Sequence, residues 1–421
     1  MKRILTLLLA VLTFTGCSGL ADKDNIINLL SSPKLSQRES EVVAVIKEHL
    51  GQDVILKYPK QGNNISPVQL VDLSSDGTEE AVVLYTAPNT GSNVRVAVLS
   101  QNENGWQLEY DAEGYGTEIY KIVFADFYGE NNKQIVIGYT YSDNSEKFLV
   151  IYSTDSGKVQ DVQYQPCQEF LVEDVTGDGV SDVILASLNA DNKNTQLRVL
   201  STQDSQILTN LAIKQLSVPN ARVTNIAVSE TEFSEKKAIM VDYTDNYFRV
   251  YTQGVYYDNY SFETVLSPDV VQKRWVYDYS LNSIDVDGDG YIETPTIITD
   301  QVPMAENLKF MEWTGFLLEE PVRKYYGVCE ADVGLYFPLP DEWQNLVTLQ
   351  YGENEGNWQV VKIEDGSTIV DFLMLPTGYD QETEDNEIIV STVTIQLKIK
   401  FDESVSDDQR RYIIGGMMYI K

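Results

Sequence analysis

The segment Asp285-Val286-Asp287-Gly288-Asp289-Gly290-Tyr291-Ile292-Glu293 places carboxylates at positions 1, 3, 5 and 9 of a nine-residue loop, with the Tyr291 carbonyl available at position 7. Oxygen donors at that spacing suit a hard divalent cation: calcium takes about six to eight oxygens at roughly 2.3 to 2.6 Å, and glycine lets so short a loop curl round the ion. The pattern recurs as Asp174, Thr176, Asp178, Val180 and Asp182, and again as Asp72, Ser74, Asp76, Thr78 and Glu80. About three calcium ions are therefore expected. An oxygen cage of this kind leaves no open position for a substrate, so the ions are expected to brace the chain rather than to catalyse.

Two further segments keep the period but not the donors. One offers Asp126, Tyr128, Glu130, Asn132 and Gln134, and the other Ser229, Thr231, Phe233, Glu235 and Lys237. Tyr128 and Phe233 cannot supply the expected ligands, and Lys237 puts a cation where the last carboxylate belongs, so no metal is expected in either. The five segments begin at Asp72, Asp126, Asp174, Ser229 and Asp285, at intervals of 54, 48, 55 and 56 residues. That period fits one four-stranded propeller blade with generous loops.

The elements around the loops agree. Short apolar or period-two runs follow each loop, such as AVVLY then VRVAVL, IVIGY then FLVIYS, VILAS then LRVLS, and AIMVDY then FRVYT. They are rich in Val, Ile and Tyr and separated by Asn, Asp and Gly, which reads as antiparallel strands joined by turns. An EF-hand also opens with DxDxDG, but it needs a bidentate Glu at position 12 and flanking helices. Position 12 here is Val83, Leu185 or Thr296, with β-rich sequence following, so that reading is rejected. The loops instead resemble the FG-GAP or VCBS repeats of integrin-type β-propellers, over about residues 53 to 320. The resemblance implies calcium loops between two strands of a blade. The expected fold is mainly β: a propeller of about five to seven four-stranded blades over 53–321, preceded by a short helix and followed by a small α+β domain over 322–421.

The first residues carry a different chemistry. Lys2 and Arg3, an apolar run from Ile4 to Phe14 and small residues before a cysteine make an export signal over 1–16, too short to span a bilayer stably. Phe14-Thr15-Gly16-Cys17 resembles the lipobox of bacterial lipoproteins, which implies cleavage before Cys17, its lipidation, and a membrane anchor on the cell surface, outside the cytoplasm. Residues 17–52 then form a lipidated linker and a helix: Ser36 and Glu39 make a capping box, Val42, Val43, Val45, Ile46 and Leu50 an apolar stripe, and Gly51 the stop. Its expected place is over a propeller edge. The stretches LLSSPKLS and DVILKYPKQGNNISPVQLVDL resemble the N-terminal region of clostridial-type lipoproteins with VCBS-like loops, a likeness that gives architecture and location only. In the C-terminal stretch, the turn and short helix at Trp343 are faintly similar to the start of PsbP or Mog1-type domains, and Trp343 and Trp358 are expected in its core.

Much chemistry is excluded. His49 is the one histidine, so Ser-His-Asp and Cys-His triads and histidine zinc sites lack material. With 31 Lys and Arg against 64 Asp and Glu, the net charge of −33 makes nucleic acid and anionic lipid poor partners. Cys167 and Cys329 could form a disulfide or stay as buried thiols. The expected function is a binding or scaffolding module for an extracellular protein or glycan, more in keeping with a non-enzyme. The alternatives are a carboxylate-based polysaccharide-active enzyme on a propeller and a calcium-dependent surface sensor.

Overall fold

The computed structural model describes residues 35–420 apart from 89–90, 143–145, 155–158, 190, 192–193, 203–207, 232–235, 248, 267–280, 299–307, 318–319, 331–333, 354–355, 377–386 and 392–394. Cys17 and the export signal lie outside the described residues. The described residues are mainly β and form six separate antiparallel sheets. The second, third and fourth are four strands laid down in sequence order: Glu118–Ala125 to Gln160–Cys167, Glu169–Glu173 to Thr209–Gln215, and Arg222–Ser229 to Ser261–Leu266. This up-and-down order is that of a propeller blade. The first sheet has the same order plus an extra short strand, Ile55–Leu56, paired with Glu80–Thr86.

Alternation along the second strand of each sheet explains how the blades stack. Val82 and Leu84 face the second sheet, packing with Ile119, Ile135, Ile137 and Tyr139. The interleaved Ala81, Val83 and Tyr85 face the other way, against Val42, Val43 and Ile46 of the helix Gln37–Leu50. Likewise Val136 packs with Val183 and Leu185, while Ile184 packs with Ile239, Val241 and Tyr243. Successive side chains on a strand point to opposite faces. Because both faces are covered, these strands show unbroken apolar runs rather than a polar alternation. The helix is held as its caps predict, with Ser36 Oγ accepting from Glu39 N and Glu39 Oε2 from Ser36 N. It covers the face of the first sheet that no other sheet packs against in this core.

Polar bonds cross each junction. Lys57 pairs with Glu118 at 2.9 Å, Lys121 with Glu169 at 2.9 Å, and Gln168 accepts from Val223 N at 2.8 Å. At the next junction the buried Asp242 carboxylate accepts from the Ser283 and Thr252 hydroxyls at 2.8 and 2.6 Å.

The fifth sheet begins with the bridge Ile284↔Glu293 and Thr294–Ile297, continues through Leu308–Leu317 and Glu320–Glu330, then adds Leu335–Leu339 and Met418–Tyr419. The division at 321/322 thus falls inside a strand whose hairpin partner lies before it. The sixth sheet, Val347–Tyr351 to Ile395–Phe401, and the helix Asp407–Gly415 share one core with the fifth: Phe310, Tyr326 and Phe337 meet Trp358, Phe372 and Ile399. Trp343 and Trp358 are buried there, as expected. Cys167 and Cys329 are free, buried thiols, and burial pushes both up to about 12. Among the described residues no helix is long and apolar enough to cross a membrane.

Candidate cation loops

The three acidic loops adopt one frame. Position 1 curls the backbone toward itself: Asp72 accepts from Asp76 and Gly77 N at 3.2 and 2.9 Å, Asp174 from Gly177 and Gly179 N at 2.7 and 2.9 Å, and Asp285 from Gly288 and Gly290 N at 2.7 and 2.9 Å. Position 5 accepts from the N–H of position 7, as Asp76 from Thr78, Asp178 from Val180 and Asp289 from Tyr291, at 2.8, 3.0 and 2.9 Å. Those bonds leave the carbonyl at position 7 as the remaining backbone donor to an ion. Position 9 opens the following strand and reaches back to the N–H of position 2: Glu80 to Leu73, Asp182 to Val175 and Glu293 to Val286, at 2.9, 3.0 and 3.1 Å. Positions 4 and 6 take positive φ throughout, with Gly179 at 87° and Gly290 at 89°, which is why glycine is preferred there.

The position-9 carboxylates are where charge is least compensated. Asp182 and Glu293 are fully buried, and their second oxygens, Asp182 Oδ1 and Glu293 Oε1, accept no hydrogen bond. The buried Thr176 and Ser201 hydroxyls beside Asp182 also lack a close hydrogen-bond partner, and both lower its carboxyl against the burial that raises it. Burial raises the Asp182 and Glu80 carboxyls above the usual carboxylate range and lifts Glu293 to about 7. A buried carboxylate without a counter-charge is costly, and nearby cations or bound metal are the usual remedy.

The second loop supplies the contrast. Asp126 holds the same frame, accepting from Gly129 and Asn131 N at 2.9 and 2.8 Å. At position 9, however, the buried Gln134 accepts from Phe127 N at 3.0 Å and donates from Nε2 to the Asn132 carbonyl at 2.9 Å. A neutral amide closes this loop with both ends bonded, so the frame needs no ion there. In the fourth segment Phe233 and Glu235 lie outside the described residues, and Lys237 turns away from its own loop to pair with Glu173 at 2.5 Å.

Convergence differs among the three. Asp285, Asp287 and Asp289 bring one oxygen each within 4.8 Å of one another. Among the described residues the first and third loops show no such group of three carboxylates; they carry the hydroxyls of Ser74 and Thr176 at position 3. The fifth loop also receives a residue that the repeat pattern could not reveal. Lys324 Nζ lies 2.6 Å from Asp289 Oδ2, 3.5 Å from Asp287 Oδ2 and 3.9 Å from Glu293 Oε1. Its hydrogen bond holds the Asp289 carboxyl below the ordinary aspartate range.

The loops also touch in sequence along one end of the stack. Lys133 N donates to the Leu73 carbonyl, Ser181 N to the Asp126 carbonyl and Glu230 N to the Gly290 carbonyl, at 2.7, 2.9 and 2.9 Å. Among the described residues, a depression of about 250 Å³ lies by Lys57 and Thr86, and a crevice of about 20 Å³ by Tyr291 and Met240. Neither is a deep cleft with paired carboxylates.

No family model matches the sequence, and no curated protein matches it. Similar solved structures include Saccharomyces cerevisiae Sqt1, at 8% identity and TM-score 0.35 over 80% of this chain and 99% of that one. A protein from Lactobacillus plantarum has 8% identity and TM-score 0.33 over 75% and 93%. The exotype rhamnogalacturonan lyase YesX has 11% identity and TM-score 0.30 over 77% and 72%. Likeness this distant carries nothing about activity.

Proposed function

We propose that this chain is an extracytoplasmic binding or scaffolding module, anchored to the cell membrane through a lipid on Cys17, whose stacked blades are braced by calcium in the loops that begin at Asp72, Asp174 and Asp285. One observation carries the calcium reading: the shared frame ends in a buried carboxylate with an unmatched oxygen at Asp182 and Glu293, whereas the loop ending in Gln134 satisfies itself with an amide. Asp72, Ser74, Asp76, Thr78 and Glu80 would hold one ion, Asp174, Thr176, Asp178, Val180 and Asp182 a second, and Asp285, Asp287, Asp289, Tyr291 and Glu293 a third. In the first and third loops the ions would supply positive charge that those loops lack, and binding to the folded chain alone would appear as stability.

A protein or glycan outside the cell is the partner this reading implies. The test is calcium titration into chelated protein followed by melting temperature. A rise that saturates and is smaller in D182N, by the share of the third loop, supports bracing; an unchanged melting temperature sinks it. For the anchor, metabolic labelling with an alkyne fatty acid should mark the wild-type chain and not C17S.

A further inference from the structure

Lys324 is placed among the fifth loop's carboxylates by a defect in the sheet. The hairpin Leu308–Leu317 with Glu320–Glu330 pairs Trp313 with Tyr325 and Thr314 with Arg323, so the register skips Lys324. An extra residue in one strand of an antiparallel pair is a β-bulge, a device that re-aims a side chain. The ammonium then meets Asp289, Asp287 and Glu293 at 2.6, 3.5 and 3.9 Å. Among the described residues no lysine or arginine is paired with Asp72, Asp76, Glu80, Asp174, Asp178 or Asp182. The neighbouring ion pairs go instead to Glu79, from Arg38, and to Glu173, from Lys237.

We propose that Lys324 is a tethered counter-cation that occupies the cation position of the fifth loop, so that this loop keeps its shape without metal and takes calcium only by expelling the ammonium. The first half of this statement is independent of the calcium reading; the second half rests on it. The fifth loop, which has the fullest set of carboxylates, then becomes the weakest of the three for calcium.

The test uses the full chain and its K324M variant, which keeps an apolar stem of similar length and removes the charge. In chelator, K324M should lose roughly tenfold or more in its ratio of folded to unfolded chain, because Glu293 is left buried without its partner. Adding E293Q should restore most of that loss. In calorimetric titration with calcium, K324M should gain a site at least about tenfold tighter than the weakest wild-type site, and D287N should remove it.

If K324M does not fold alone in chelator, the K324M/E293Q chain carries the test: its folding supports the assignment and its failure overturns it. A K324M chain as stable as wild type in chelator, or one that E293Q does not rescue, also overturns it. So does a fifth loop that binds calcium equally well with and without Lys324. Calcium uptake by neither protein, with the rescue intact, removes the calcium reading of the loops and leaves Lys324 as the fifth loop's cation.

Discussion

Asp182→Asn should change the sign of its effect with calcium. The Asp182 side chain is fully buried, its Oδ2 accepts from Val175 and Thr176 N at 3.0 Å each, and its Oδ1 has no close hydrogen bond, with only the Ser201 and Thr176 hydroxyls beside the carboxylate. Asparagine is nearly isosteric and keeps a carbonyl oxygen for those two donors. It removes the charge, as Gln134 does naturally at the equivalent position of the second loop. Without calcium the substitution should therefore be neutral or stabilising, by up to about 1 to 3 kcal/mol, the usual cost of a buried, unmatched polar group. With free calcium at about 100 times its dissociation constant, the wild-type third loop gains about 2.7 kcal/mol by mass action, which the variant forgoes. Unfolding entropy near 2.1 cal/mol/K per residue makes 1 kcal/mol worth about 1 °C in a unit of this size, so calcium should raise the wild type by about 3 °C more than it raises the variant. Calorimetric melting of both proteins, in chelator and in saturating calcium, reads the two differences. If D182N is destabilised equally in both conditions, the carboxylate has a purely structural partner and the cation argument for this loop fails.

Other perturbations bear on the frame that carries the loops. Gly327→Ala puts a Cβ 2.1 Å from the Phe337 carbonyl oxygen, between two paired strands of the fifth sheet. We expect a loss above about 3 kcal/mol, seen as a lower denaturant midpoint, because packed backbone yields little; a wild-type midpoint would refute the close approach. Glu169→Ala leaves Lys121 and Lys147 unpaired at the junction of the second and third sheets, where the carboxylate stands 2.9 and 3.5 Å from them. A cost of about 3 kcal/mol or more is expected, since removing one partner strands buried charge, and a cost under about 1 kcal/mol would count against it. Burial raises Glu39, but donors from Ser36 N and Ser66 Oγ outweigh this and leave it below its ordinary 4.5. A lowered folded value gives stability that is present above 4.5 and lost as pH falls below it. The helix Gln37–Leu50 should accordingly lose hydrogen-exchange protection, taken against the intrinsic rate at each pH, on acidification through that range, and E39Q should flatten the dependence.

The spacing of donors and turn formers determined a good deal of this protein by itself. Positions 1, 5 and 9 of each loop, the glycines at positive φ, the capping box at Ser36 and the blade period are all local, because their partners lie within one loop, one turn or one hairpin. The unbroken apolar runs likewise marked strands covered on both faces. What lies beyond such a span was decided by register and packing. Lys324 is 31 residues past Glu293 and meets it only because a bulge turns it inward. The pairing across 321/322 has the same origin: Glu320–Glu330 belongs with Leu308–Leu317 by register, whatever its composition. The strand Ile55–Leu56 pairs into the first sheet, and the helix takes the remaining face of that sheet. Donor spacing within nine residues marks where a cation could be needed. Only the tertiary structure determines which charge fills the place, because the competing ammonium arrives from a different strand.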